Sequence, residues 1–248
     1  MDRSDDSFDL DEFFAHHGVK GMRWGVRKDD PNGVHRLQAS TAIIDPSLTP
    51  ETRRAGVEVS SLIKDRYKFN ITAVKAMSND DPEYQRGTIA YVRSTPGTRD
   101  GVINMSPFDL GPVLKEGEAS GWFGAGCGDV RSLMTHESAH AIFHADQNVT
   151  QGLFGEKISS STIKARDKAI DAALEAAGHD GVRDTSEFLR RISDYASTAG
   201  VREEAEAEMF AQYHWGKNPE RFVKVWGETL HKELGIDGTP FKEAVKRG

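Results

Sequence analysis

Two histidines and a glutamate, His136, Glu137 and His140, stand close enough in the sequence to do metal chemistry together. Because His136 and His140 are four positions apart, a helix would place both imidazoles on one face, about one turn apart, where both can reach one ion. Glu137 would lie beside them, where its carboxylate can hold a water molecule and take its proton. The spacing therefore predicts a zinc site with a general base next to it.

A catalytic zinc site needs a third protein ligand and one open position. Two residues that follow His140 on the same helix are candidates for the third ligand. His144 would stand about 12 Å from His136 along the helix axis, which is too far for a shared ion. Asp146 has the spacing of a third ligand in a longer zinc motif, but that motif needs a glycine where this chain has Phe143. We expect the helix to continue through Phe143 and to point Asp146 elsewhere.

The third candidate ligand, Glu204, lies in a later segment that is rich in glutamate. Glu204 and Glu208 are four positions apart, so on a helix Glu204 could reach the ion while Glu208 hydrogen-bonds a ligating imidazole. Taken alone, however, four glutamates in six residues favour a solvated acidic helix. The residues alone therefore leave the third ligand open.

The composition narrows the possible functions. The chain has 248 residues, a formal net charge of −7 and one cysteine, Cys127. The negative charge argues against a general nucleic-acid binder, because nothing across the whole chain would neutralise phosphates. One cysteine excludes zinc sites with two or more thiolates, so histidines and carboxylates must hold the metal. No run approaches the roughly 20 apolar residues of a membrane-spanning helix, and the acidic start lacks the features of a secretory signal.

Local patterns predict one helix, a small sheet and then a series of helices. Thr49 as N-cap and Pro50 at the first helical position predict a helix over 50–67. Strands are predicted over 71–77, 88–93 and 102–105. Further helices are predicted near 130–146, 160–177, 184–197, 201–215 and 218–234. This order predicts an α+β fold, with one main domain over 46–248.

Residues 1–45 are predicted to form a flexible arm before the domain. The first twelve residues carry six acidic side chains against one arginine, whereas residues 20–28 carry four basic ones. Aromatic side chains, among them Phe13 and Trp24, are interspersed with these charges. This pattern is typical of a short adhesive peptide, and a disordered tail is the alternative.

Several segments, taken in order, resemble the gluzincin-type zinc metallopeptidases that look like the catalytic domain of anthrax toxin lethal factor, a group with phage-encoded relatives. They are G-V-I-N-M at 101–105, G-W-F at 121–123, M-T-H-E-S-A-H at 134–140, S-D-Y-A at 193–196 and E-A-E-A-E-M-F-A at 204–211. The resemblance covers about residues 70–215. It implies a zincin-like fold, in which a small mixed sheet and an active-site helix are followed by a helical subdomain.

The same resemblance implies that zinc is the cofactor and that peptide bonds of a protein or peptide substrate are hydrolysed. It makes Glu204 the third zinc ligand, beside His136 and His140. It makes Glu208 a supporting carboxylate and Glu137 the general base.

Two further residues receive roles by resemblance. Tyr195 would donate a hydrogen bond to the oxyanion that forms during attack on a peptide carbonyl. The strand 102–105 would be the edge strand before the active-site helix, where an extended substrate adds as a further strand. Asn104 would then lie near the site and bind the substrate.

A second resemblance concerns the arm. Residues 16–28, H-H-G-V-K-G-M-R-W-G-V-R-K, are similar to a short peptide that recurs near the ends of tailed-phage structural and morphogenesis proteins. This implies phage virion proteins as partners of residues 13–28, and the phage virion or the bacterial host cytoplasm as the location. It also keeps two alternatives open: a virion structural or adaptor protein with a non-catalytic zinc site, and an effector delivered to the host.

Overall fold

The computed structural model describes residues 42–94, 98–145, 147–152 and 155–247, and these contain ten helices and six strands. The strands are β1 (Ile43–Ile44), β2 (Asn70–Ala76), β3 (Ala90–Ser94), β4 (Asp100–Met105), β5 (Gln147–Gly152) and β6 (Gly155–Ser160). The helices are α1 (Pro50–Tyr67), α2 (Pro82–Gln85), α3 (Gly111–Ser120), α4 (Val130–Ala145), α5 (Ser161–His179), α6 (Thr185–Ile192), α7 (Asp194–Ala199), α8 (Arg202–Trp215), α9 (Arg221–Leu234) and α10 (Phe241–Arg247). This content confirms the α+β prediction.

Strands β1 to β4 form a mixed sheet in the order β1-β2-β4-β3, in which β3 is antiparallel to its neighbour and the other pairs are parallel. Ile103 of β4 pairs with Val74 of β2 and with Val92 of β3, so these three side chains share one face. Helix α1 packs on that face. Its Gly56 lies so close to the Val74 side chain that an added Cβ would be only 3.3 Å from it. Strands β5 and β6 pair separately as an antiparallel hairpin.

The prediction that 102–105 is an edge strand is wrong. Strand β4 lies between β2 and β3, so both of its sides are already paired, and β3 is an edge strand of the described sheet. A substrate strand therefore cannot add to β4. Asn104 pairs with Tyr91 and Lys75, and it lies on the opposite face of the sheet from Ile103. Its predicted contact with substrate thus loses the open edge on which it was based.

Helix α1 begins and ends where the sequence predicts. The Thr49 hydroxyl accepts a hydrogen bond from the Thr52 N–H at 3.2 Å, and Pro50 occupies the first position. Lys68 follows the helix in the left-handed conformation, with φ at 53°, and its N–H donates to the carbonyl of Lys64. These caps satisfy backbone groups at both ends, so α1 is a well-defined support for the sheet and for α4.

Helix α4 is the central helix, and it packs against α1, β3 and α8. At its start, the Asp129 carboxylate accepts the Ser132 N–H at 2.9 Å. The loop before it is held by Glu118 of α3, whose carboxylate accepts the N–H groups of Gly126 at 2.6 Å and Gly128 at 3.0 Å. These bonds define where α4 begins and therefore which of its residues face β3 and α8.

The predicted helix 184–197 is two helices in the structure. Ser193 separates α6 from α7 with an extended conformation (φ −171°, ψ 161°), and its hydroxyl accepts the Ala196 N–H at 3.0 Å. The sequence patterns also do not predict α3, α10 or the β5–β6 hairpin. Helix α3 contains Gly111, Pro112 and Gly117, which disfavour a helix by local propensity and so hide it.

The arm predicted for 1–45 falls almost wholly on residues 1–41, which lie outside the described residues. Ile43 and Ile44 form β1 and pair with Ala73 and Val74 of β2. The folded unit therefore already includes residue 43, three residues before the predicted boundary.

A buried hydrogen-bond chain joins the ends of α1, α8 and α9. The Tyr67 hydroxyl lies 2.6 Å from Nε2 of His214 and 2.6 Å from Nε2 of His231. Nδ1 of His214 accepts the Phe241 N–H at 3.3 Å, and Nδ1 of His231 donates to the Gly227 carbonyl at 2.5 Å. These bonds assign the tautomers: His214 donates to Tyr67, and Tyr67 donates to His231. Both imidazoles are therefore satisfied in their neutral form.

The hydrogen-bond chain around Tyr67 makes the stability of the fold depend on pH. Burial lowers the pKa of His231 to about 4 and that of His214 well below its usual value. Between about pH 6.5 and pH 4 the unfolded chain then binds more protons than the folded one, so the fold loses stability as the pH falls. Protonation of His231 alone should lower the free energy of unfolding by on the order of 3 kcal/mol across this range. In urea unfolding measured across this range, the wild type should lose stability more steeply than His231→Gln, and equal slopes would contradict the assignment.

Removal of the central hydroxyl should destabilise the fold. Tyr67→Phe leaves the Nε2–H of His214 and the Nε2 lone pair of His231 without a partner in the core, so the free energy of unfolding should fall by about 1–3 kcal/mol. Denaturant unfolding at pH 7.5 measures it. Tyr84→Phe, at a partly exposed tyrosine, is the control. A Tyr67→Phe variant as stable as the wild type would show that the chain does not stabilise the fold.

Candidate metal centre

Three side chains from two helices converge at one point. His136 and His140 lie one turn apart on α4, with their Nε2 atoms 3.2 Å apart. Glu204 reaches them from the first turn of α8, with its Oε2 atom 3.2 Å from Nε2 of His136 and 3.3 Å from Nε2 of His140. All three are buried, and among the described residues they form a set that could hold a metal ion.

The buried atoms of this cluster fit a cation. Nδ1 of His136 lies 3.0 Å from Oε1 of Glu208, so the Nδ1–H group donates to Glu208 and Nε2 faces the Glu204 carboxylate at 3.2 Å. Either a proton or a metal ion can lie between Nε2 and that carboxylate. Oε1 of Glu204 and Oε2 of Glu137 are also buried without a hydrogen-bond partner. The residues present therefore fit a bound metal ion.

The charges of the cluster shift the pKa values of its members. Burial acts to lower the pKa of His136, but the carboxylates of Glu204 and Glu208 outweigh it and raise that pKa well above its usual value. Burial acts to raise the pKa of Glu204, but His140 and His136 outweigh it and lower that pKa. Glu204 is therefore ionised at neutral pH, as a carboxylate ligand must be.

Glu137 lies beside the ligands and against the edge strand. Its carboxylate accepts the backbone N–H of Val92 in β3. Burial raises the pKa of Glu137, and the charge of Glu204 adds to the rise, while His136 and His140 oppose it. A buried carboxyl group with a raised pKa next to metal ligands is suited to take and return a proton near neutral pH.

Tyr195, in the first turn of α7, completes the group. Its ring centroid lies 5.8 Å from that of His136, and its hydroxyl hydrogen-bonds Glu204. Burial and the charges of Glu204 and Glu137 raise the pKa of Tyr195 well above its usual value. The hydroxyl therefore keeps its proton and is available as a hydrogen-bond donor beside the cluster.

The solvated-helix alternative for the glutamate segment is wrong, because three of the glutamates on α8 are buried: Glu204 is 1% exposed, Glu206 0% and Glu208 4%. Glu206 has its own partners, since its Oε2 accepts Nε of Arg166 in α5 at 3.0 Å and its Oε1 accepts from Arg202 at 3.2 Å. Sequence reasoning missed the Arg166–Glu206 pair. The two residues stand 40 positions apart, and no local pattern joins them.

The remaining sequence candidates lie elsewhere. His144 is on α4 but outside the metal-binding set, in agreement with the expected distance along the helix. Asp146 lies outside the described residues. Asn104 is buried in β4, and its Nδ2 is one of the buried side-chain atoms without a hydrogen-bond partner.

A family of unknown function (DUF7211) matches residues 4–31. The match includes the peptide at 16–28 and falls outside the described residues. No curated protein and no solved structure matches the chain. Within the described ranges, no helix combines the length and the apolar character needed to cross a membrane.

Removal of single carboxylates should weaken metal binding in a graded way. Glu208→Gln weakens the bond that orients His136, so metal affinity should fall by about 10- to 100-fold. Glu204→Gln replaces an ionised ligand by a neutral amide, so the metal affinity of this variant should fall further than that of Glu208→Gln. Competition against a chelating dye measures both.

The matched control is Glu203→Gln, which changes an exposed glutamate on the same turn of α8 and should bind metal like the wild type. Unchanged affinity in Glu208→Gln would mean that the His136–Glu208 bond does not support the metal.

Proposed function

We propose that the chain is a zinc-dependent peptidase of the gluzincin type. The observation that carries the proposal is the spacing of the ligand atoms of His136, His140 and Glu204, which are 3.2–3.3 Å apart. A tetrahedral zinc ion with bonds of about 2.0–2.1 Å separates its ligands by about 3.3–3.4 Å. Three protein ligands leave one tetrahedral position open, as in catalytic zinc sites, whereas structural sites have four.

The residues around the cluster have the roles that hydrolysis requires. When bound, zinc would lower the pKa of a water in the open position towards about 7 and polarise the carbonyl of the substrate. Glu137 would take the proton from that water and pass it to the leaving amine. Tyr195 would donate a hydrogen bond to the developing oxyanion, and Glu208 would keep the proton of His136 on Nδ1.

A zincin-like fold is part of the proposal. Helix α4 lies along β3, an antiparallel edge strand, and the helices α5 to α10 follow as a helical region. An extended substrate would add to the free side of β3, which takes the role expected for 102–105. The Val92 N–H supports this arrangement, because it holds the carboxylate of Glu137 next to that strand.

The phage setting is also part of the proposal. We place the protein in the phage virion or in the cytoplasm of the bacterial host, with residues 13–28 as the contact to virion proteins. The support is the resemblance of residues 16–28 to a peptide of tailed-phage proteins. The family match over residues 4–31 is compatible with a short module that is separate from the domain.

Glu137→Gln should separate metal binding from catalysis. The amide cannot accept a proton, so cleavage should fall by about 100- to 10,000-fold, while zinc affinity stays near that of the wild type because Glu137 is not a ligand. Proteomic identification of new protein termini, in virions and in infected cells, compares the two proteins and does not require the substrate to be chosen in advance. Glu203→Gln again serves as the control. If the same termini form with Glu137→Gln, the chain is not a peptidase of this mechanism.

The alternative, from another class, is a virion structural or adaptor protein whose zinc site only stabilises the fold. The buried Arg166–Glu206 pair speaks against this alternative, because it holds α8 in place without a metal ion. A hydroxamate separates the two, because it binds the metal only where a position is open. Binding in the metal's coordination shell supports the peptidase, and exclusion from it supports the structural role.

A further inference from the structure

A short backbone ladder joins the segment before α4 to the start of α7. The Asp194 N–H donates to the Gly121 carbonyl at 3.0 Å, and the Tyr195 N–H donates to the Trp122 carbonyl at 3.2 Å. Gly121 has φ at 87°, a left-handed conformation that other residues resist. The position of Trp122 relative to Tyr195 is therefore set by backbone bonds.

Phe123, the residue after Trp122, is anchored to helix α3. The Phe123 N–H donates to the carbonyl of Gly117 in α3 at 3.2 Å. A Cβ added to Gly117 would lie 2.6 Å from the Phe123 ring, so the ring fills space that only a glycine leaves open. The backbone is thus held both before and after Trp122, which gives its side chain a rigid base.

The aromatic rings continue from this base to the metal centre. The Trp122 and Tyr195 centroids lie 5.8 Å apart with their planes inclined by 58°, and Tyr195 lies at the same 5.8 Å from His136. Trp122 and Tyr195 are both partly exposed, whereas His136 is buried. A continuous aromatic surface therefore leads from the solvent to a metal ligand.

We propose that Trp122 and Tyr195 form a substrate subsite, here called the aromatic wall, which binds a large apolar side chain next to the peptide bond that is cleaved. This inference rests on the proposed peptidase function. Tyr195 contacts both Glu204 and His136, so the inner end of the wall lies at the reacting position. Rigid aromatic rings offer a large contact area at a small loss of conformational entropy. The substrate class is peptides with Phe, Tyr, Leu or Met beside the cleaved bond.

Two hydroxamates test the wall without any cleavage. Acetohydroxamate carries a methyl group, and N-hydroxy-3-phenylpropanamide carries a 2-phenylethyl group in its place. The zinc-loaded full chain should bind the phenyl compound about tenfold or more tightly than the methyl compound, as titration calorimetry measures. Trp122→Ala should lose most of this preference while its affinity for acetohydroxamate stays unchanged. Trp122→Phe should keep most of it.

The control is Phe108→Ala, which removes a ring that is 39% exposed on the segment between β4 and α3 and should keep the preference. If Trp122→Ala fails to fold, Trp122→Leu takes its place, because it fills more of the same space. A zinc-loaded wild type without preference, or a Trp122 variant that keeps it in full, overturns the aromatic wall and leaves the peptidase proposal standing. A chain that binds no zinc overturns both.

Discussion

Helix α8 carries three carboxylates into the interior, and a buried carboxylate is tolerated only where it is paired with a cation or a donor. Each of the three meets such a partner. Glu206 is held by arginines, Glu208 accepts the Nδ1–H of His136 at 3.0 Å, and Glu204 faces the two Nε2 atoms of the histidines. Because α8 cannot be buried without these partners, the requirement to pair its carboxylates fixes its position against α4 and α5 and brings Glu204 to His136 and His140 at the same time.

The packing around α8 agrees with this requirement. Arg166 of α5, which pairs with Glu206, also lies over the ring of Phe143 in α4, with its guanidinium carbon 4.8 Å from the ring centroid. The Trp215 indole N–H, at the end of α8, donates to the Thr135 hydroxyl of α4 at 2.8 Å. The two helices are in contact, and Ala205 and Ala207, which lie between the glutamates of α8, are both buried. The ligands on α4 and α8 are therefore brought together by contacts that do not involve the metal.

Local signals in the sequence predicted α1 and the residues of α4, because a cap and a four-residue spacing depend only on near neighbours. The sequence placed Glu204 only through the resemblance, since glutamates in a row also suit a solvated helix and burial alone decides between the two. The strand order could not be predicted, because whether 102–105 lies at an edge depends on where 90–94 returns to the sheet. The Arg166–Glu206 pair was missed for the same reason: its partners meet only after the chain has folded.

Two buried histidine pairs in this chain differ in one respect that bears on function. Around Tyr67, every donor meets an acceptor, so the group formed by His214 and His231 is complete by itself and needs nothing further. Around His136 and His140, by contrast, one buried carboxylate oxygen on each of Glu204, Glu208 and the neighbouring glutamate of α4 has no hydrogen-bond partner. Buried polar atoms are rarely left unpaired in native proteins, because each costs about 1–3 kcal/mol. The first group is therefore complete within the protein, whereas the second could hold a metal ion that satisfies these oxygens.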